Sequence, residues 1–208
     1  YNADGGEAEM CGNGARCFGN FAAALLHHDK TAPLPFETMA GVVTATFEKD
    51  GNVTVNLTNP HSMQLFVLNA DPTVGADVHF LNTGVPHAVA FLDQLEGLDI
   101  SRLGAYLRYH EAFSPKGTNA NFARILSPGH IAIRTYERGV EDETLACGTG
   151  MTACALLHAV LADAPSPIQV DVAGGDTLKV GFQRTGDRFT DVTLTGPADL
   201  VFTGDIQI

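Results

Sequence analysis

The chain has 208 residues, 45% of them hydrophobic and 17% charged, enough to bury one large core or two small ones. Twelve Lys and Arg against 24 Asp and Glu leave a net charge of −12 with no basic run, which argues against a nucleic-acid partner and against an anionic membrane surface. No run of about 18 apolar residues is present, no segment reads as a signal peptide, and four cysteines are too few for a disulfide scaffold and suit a reducing cytoplasm.

In chain order, the first feature is Cys11-Gly12-Asn13-Gly14-Ala15-Arg16-Cys17, running into Phe18 to Leu26. That stretch is apolar nearly all round, which predicts a buried helix stopping near His28-Asp29-Lys30 and Pro33. Phe36 to Thr58 predicts a β-hairpin with its turn at Lys49-Asp50-Gly51-Asn52 and clear alternation from Val53 to Leu57. Strands are expected at 78–83 and 87–92, a helix at 99–109, and strands at 121–126 and 130–137. Cys147-Gly148-Thr149-Gly150 then opens a second apolar stretch, which ends at Asp163-Ala164-Pro165. Ile168 to Thr195 predicts a second hairpin, turning at Thr185-Gly186-Asp187.

These elements repeat. Each unit runs C-G-x-G, apolar helix, hairpin, Thr-x-Pro, and Pro60 follows Cys11 by 49 residues where Pro197 follows Cys147 by 50. The agreement argues for a duplicated domain. The predicted fold is α+β, with two pseudo-symmetric domains, 1–60 and 61–198. The second unit has 86 residues ahead of its cysteine and the first only ten. Matching halves would place roughly 75 further residues upstream. Tyr1 in place of Met points the same way, and the helix of the first unit is expected to lack part of its covering sheet.

Cys11 and Cys147 each sit where a glycine turn opens a helix. Unpaired backbone N–H groups point outward there and the helix dipole adds about half a positive charge. Such a place can lower a thiol's pKa and hold a carboxylate. A pair of such thiols in a duplicated frame suits a symmetric reaction, in which one removes a proton from an α-carbon and the other returns one. The bland alternative is a tight turn with a small buried cysteine. Cys17 and Cys154 fall inside the helices and are read as core residues. Spacings of five and six residues between cysteines do not favour zinc, and no C-x-x-C motif is present.

Two longer stretches carry a resemblance. Asn2 to Cys17 and Tyr136 to Gly150 are similar to the first and second cysteine signatures of the diaminopimelate epimerase family, and the likeness extends over essentially the whole chain. The resemblance implies two domains, each a curved mixed sheet wrapped round a central helix, with the C-terminal strand, 199–208, returning to the first domain. It implies an isomerase acting on L,L- and meso-diaminopimelate for lysine and peptidoglycan synthesis. No pyridoxal, metal, nucleotide or other cofactor is implied, and a homodimer is compatible with it. By position, Cys11 and Cys147 would be the acid/base thiols. Gly12-Asn13 and Gly148-Thr149 would hold the α-carboxylate, and Glu137 would meet the reacting ammonium. Asn2, Asn119 and Arg138 would bind the distal end, with His87 setting a cysteine's protonation.

Without the resemblance, Arg138 reads equally as a surface ion pair, Asn119 and Asn121 as turn residues before a strand, and His87 as a strand start. Two departures stand out. Val85 occupies a position where many family members carry a polar residue, and the second signature has one more residue between Glu137-Arg138 and Cys147 than the commonest form. A related racemase of the same fold, or a ligand-binding fragment without activity, is the competing reading.

Overall fold

A computed structural model describes residues 11–205. Helix α1 (Gly12–Leu25) is followed by three antiparallel strands, β1 (Leu34–Thr38), β2 (Gly41–Phe47) and β3 (Val53–Asn56). A second group follows: β4 (His61–Asp71), β5 (Ala76–Asn82), β6 (Pro86–Phe91), α2 (Ile100–Arg108), β7 (Asn119–Ser127), β8 (His130–Glu137) and the short β9 (Asp142–Thr144). Helix α3 (Gly148–Ala162) and strands β10 (Ile168–Asp171), β11 (Thr177–Thr185) and β12 (Arg188–Gly196) complete it.

The strands form one mixed sheet in the order β1-β2-β3-β12-β11-β10-β8-β7-β6-β5-β4, with β9 pairing β8 to one side of that path. Two pairings, β6 with β7 and β10 with β8, are parallel. Strands β1–β3 mirror β10–β12, and the two sets join where β3 pairs antiparallel with β12. Strands β5 to β8 and β10 to β12 all contact α3, so the sheet curves round that helix. Every residue of α3 from Gly148 to Ala159 is buried, the expected fate of a helix apolar on all sides. Each large side chain there, such as Leu156 or Leu157, contributes about 1.5–3 kcal/mol by leaving water. On the outer face of β7 and β8, α2 buries a narrower stripe, Ile100, Leu103, Gly104 and Leu107, with Asp99 capping its start by accepting from Arg102 N–H at 3.0 Å.

Three expectations need correction. Cys17 is exposed, because among the described residues α1 packs mainly on β1–β3 and its outer side is open. Residues 199–205 form no strand. They follow β12 as irregular chain past α1, where Asn20 Nδ2 donates to Ala198 O at 2.6 Å, and 206–208 lie outside the described residues. Strand β4 was not foreseen. Its backbone takes positive φ at Ser62, Phe66 and Ala70, and its pairing to β5 slips at three places, so period-two alternation is lost from the sequence.

Candidate active site

The two cysteine turns meet. Cys11 and Cys147 are the N-caps of α1 and α3, both in extended backbone, so each thiol stands where the first helical N–H groups emerge. A Cβ added to Gly148 would lie 3.2 Å from Gly12 Cα, and one added to Gly12 would lie 2.8 Å from Leu194 Cδ2. Only glycine lets the helix starts approach this closely over β12. Asn13 crosses the junction, its Nδ2 donating to Ala146 O at 3.4 Å. Its Oδ1 is buried with no hydrogen-bond partner among the described residues.

The thiols differ in surroundings. Cys11 is exposed, and its Sγ accepts from Gly14 N–H at 3.3 Å. Cys147 is 6% exposed, with Sγ 3.6 Å from Thr149 Oγ1. Burial, and next the Glu137 carboxylate, push the Cys147 thiol up to about 12; the Thr149 hydroxyl and the Gly150 N–H pull the other way and lose. A helix N-terminus was expected to lower this pKa. Desolvation of the thiolate at a closed position outweighs the dipole.

Glu137 ends β8, and its Oε2 accepts from Thr144 Oγ1 at 3.0 Å. Thr149 is buried at the first turn of α3, and its carbonyl accepts from Thr83 Oγ1 at 2.9 Å. Asn119 and Asn121 are not turn residues: both belong to β7. Asn119 Oδ1 accepts from Arg138 N–H at 2.8 Å while its Nδ2 donates to Pro86 O at 2.9 Å. His87, opposite Asn119 in the parallel register, is fully buried. Burial, and then the Arg138 cation, pull its pKa down to about 3. The Arg138 guanidinium donates to Lys116 O at 3.4 Å and lines a cavity of about 540 Å³ shared with Asn82, Gly84 and Lys116. Neither cysteine lines that cavity. Thus Cys11, Gly12, Asn13, Glu137, Cys147, Gly148 and Thr149 gather at one junction, while the Arg138 side chain sits in a neighbouring space. Asn2 lies outside the described residues.

Two neighbours were missed. Asn121 and Thr135 are buried beside His87, and period two along β7 already places Asn121 on the same face as Asn119. Arg16 was also missed. It is a buried cation on α1 whose pKa is lowered by desolvation, and it donates to Gly12 O and Pro197 O. Thr152 holds the matching place on α3 and donates to Gly148 O at 2.9 Å.

The sequence is 43% identical over 209 residues to the diaminopimelate epimerase of Hydrogenobaculum sp. (strain Y04AAS1), covering 98% of this chain and 72% of that one. It is 42% identical to that of Aquifex aeolicus (strain VF5), covering 100% and 73%. The family model described as Diaminopimelate epimerase matches residues 1–63 and 79–201. This chain belongs to the diaminopimelate epimerase family. It is therefore an isomerase of the racemase and epimerase class. Among solved structures, a Bacillus anthracis phenazine biosynthesis protein of the PhzF family superposes with a TM-score of 0.66 at 14% identity, over 92% of this chain and 74% of that one. A probable proline racemase from Agrobacterium radiobacter K84 superposes at 0.63 and 22% identity, over 90% and 65%. At such identities they speak for the fold alone: a diaminopimelate epimerase fold shared with racemases and PhzF proteins. No helix among the described residues of this epimerase-family chain is long and apolar enough to cross a membrane.

Proposed function

We propose that the chain interconverts L,L- and meso-diaminopimelate by two-thiol proton transfer, serving lysine and peptidoglycan synthesis in the cytoplasm. The observation that carries this is the meeting of two cysteine-capped helix starts through Gly12 and Gly148. A substrate α-carbon between the thiols loses its proton to one sulfur as a thiolate and receives a proton from the other on the opposite face. The configuration inverts and the protonation of the two sulfurs is exchanged. The α-carboxylate lies against the N–H groups of Gly12-Asn13 and Gly148-Thr149, which stabilise the charge that builds on it as the carbanion forms.

Cys147, held protonated by burial and by Glu137, starts as the acid in one direction. An ammonium bound at Glu137 cancels the like charge that helps keep this thiol protonated, so substrate binding eases its ionisation for the reverse direction. The distal end of the substrate extends to Asn2, Asn119 and Arg138, where the guanidinium can fork onto a carboxylate. His87 supports the centre as a neutral imidazole.

The test is to incubate the chain with L,L-diaminopimelate in D₂O under reducing conditions and follow loss of the α-proton signal by NMR. Deuterium entering the α-position together with appearance of the meso form is the expected result. Exchange with proline but not diaminopimelate would overturn the substrate assignment, and no exchange with any amino acid would overturn the reaction.

A further inference from the structure

His87, Asn121 and Thr135 form a polar network inside the sheet, close to the Cys147 turn. All three are almost completely buried. Asn121 Nδ2 lies 2.9 Å from Ala88 O and 3.2 Å from His87 Nδ1, while its Oδ1 accepts from Thr135 Oγ1 at 3.0 Å. A backbone carbonyl can only accept, so the amide atom facing Ala88 is the nitrogen. The same nitrogen faces His87 Nδ1, which must therefore accept and carry no proton. A neutral imidazole with an accepting Nδ1 holds its proton on Nε2. That Nε2 is buried and has no hydrogen-bond partner among the described residues. Asn121 also touches the catalytic turn: a Cβ on Gly150 would run into Asn121 Oδ1 and lie 3.3 Å from Cys147 Sγ.

We propose that Asn121 is a positioning residue that fixes His87 as its Nε2–H tautomer, so that the remaining ring nitrogen is a donor and cannot compete with the thiols for the α-proton. The inference rests on the two-thiol reading above. An imidazole presenting a lone pair near the centre would be a third proton acceptor and would blur the two-sided transfer. One presenting N–H can only lend a hydrogen bond to a thiolate or carboxylate. The side chain that decides between these states touches neither substrate nor sulfur through its amide nitrogen; it acts through His87.

The experiment reads imidazole nitrogen-15 chemical shifts of the labelled chain at neutral pH, with the His87 signals identified by their loss in His87→Gln. Wild type is expected to show Nδ1 unprotonated and Nε2 protonated. Asn121→Asp puts an accepting oxygen beside Nδ1, and is expected to move the proton to Nδ1 and to slow α-proton exchange by up to about 10²-fold. A protonated Nδ1 in wild type overturns the proposal, whatever the folding of any variant. An unchanged Nε2–H signature in folded Asn121→Asp, judged by its circular dichroism, overturns it as well. The two-thiol reading is separable: no exchange in wild type alongside the expected tautomer would overturn the reaction and leave the tautomer assignment standing.

Discussion

Helices α1 and α3 begin with the same cysteine-glycine turn and continue with the same kind of apolar stretch, yet they end in different surroundings. Strands reach α3 from both arms of the sheet, and it is buried from Gly148 to Ala159. Among the described residues α1 packs mainly on β1–β3, and Phe18, Phe21, Leu25 and Leu26 are 49–66% exposed. The two thiols inherit this difference. Cys147 is closed in, faces Glu137 and is held protonated, while Cys11 is open and accepts a hydrogen bond from its own helix. A repeated motif thus supplies matched backbone geometry, and the strands around it decide the state of the side chain it presents.

The comparison can be sharpened first through thiol chemistry. Burial and the Glu137 carboxylate keep the Cys147 thiol protonated at neutral pH and shield it from reagent. Iodoacetamide followed by peptide mass spectrometry should therefore label Cys11 and Cys17 long before Cys147 and Cys154, by orders of magnitude. Equal labelling of Cys11 and Cys147 would break the asymmetry. Next in size are the helix cores. Leu157→Ala on α3 should cost about 2–5 kcal/mol of unfolding free energy, as a fully buried leucine does. Phe21→Ala on α1, at a side chain 60% exposed, should change stability by about 0.5 kcal/mol or less. Urea titrations of the two variants measure both, and similar losses would mean that α1 is as well covered as α3.

A further effect is one of pH. His87 has a folded pKa of about 3 against 6.5 unfolded. Unfolding therefore takes up a proton that the native state refuses. Its contribution to stability is complete above about pH 6.5 and is lost as pH falls towards 3, at no more than about 1.4 kcal/mol per pH unit. Urea midpoints measured through this window should fall less steeply in His87→Gln. An unchanged slope would mean that the buried imidazole is not the group responsible.

Much of this was legible in the sequence, for physical reasons that can be named. The two C-G-x-G turns and the hairpins at 41–56 and 177–196 announce themselves through glycine, turn residues and alternation, all local signals. The family signatures gave the gathering of Cys11, Cys147, Glu137 and Thr149. Strand β4 was hidden because its bulges break the period, and β9 because three residues carry no pattern. The exposure of Cys17 depends on which strands cover α1, a long-range fact. The same holds for Asn121: it starts the strand expected at 121–126, but only the register of β6 with β7 brings it to His87 and Ala88.

The most direct test of the central claim is α-proton exchange from L,L- and from meso-diaminopimelate in D₂O, measured for Cys11→Ala and Cys147→Ala separately. Because each face of the α-carbon needs its own proton carrier, the account predicts that neither variant interconverts the two isomers, with net epimerisation falling by at least about 10²–10⁴-fold in each. Epimerisation persisting in either single variant at a rate near that of the unsubstituted chain would contradict it.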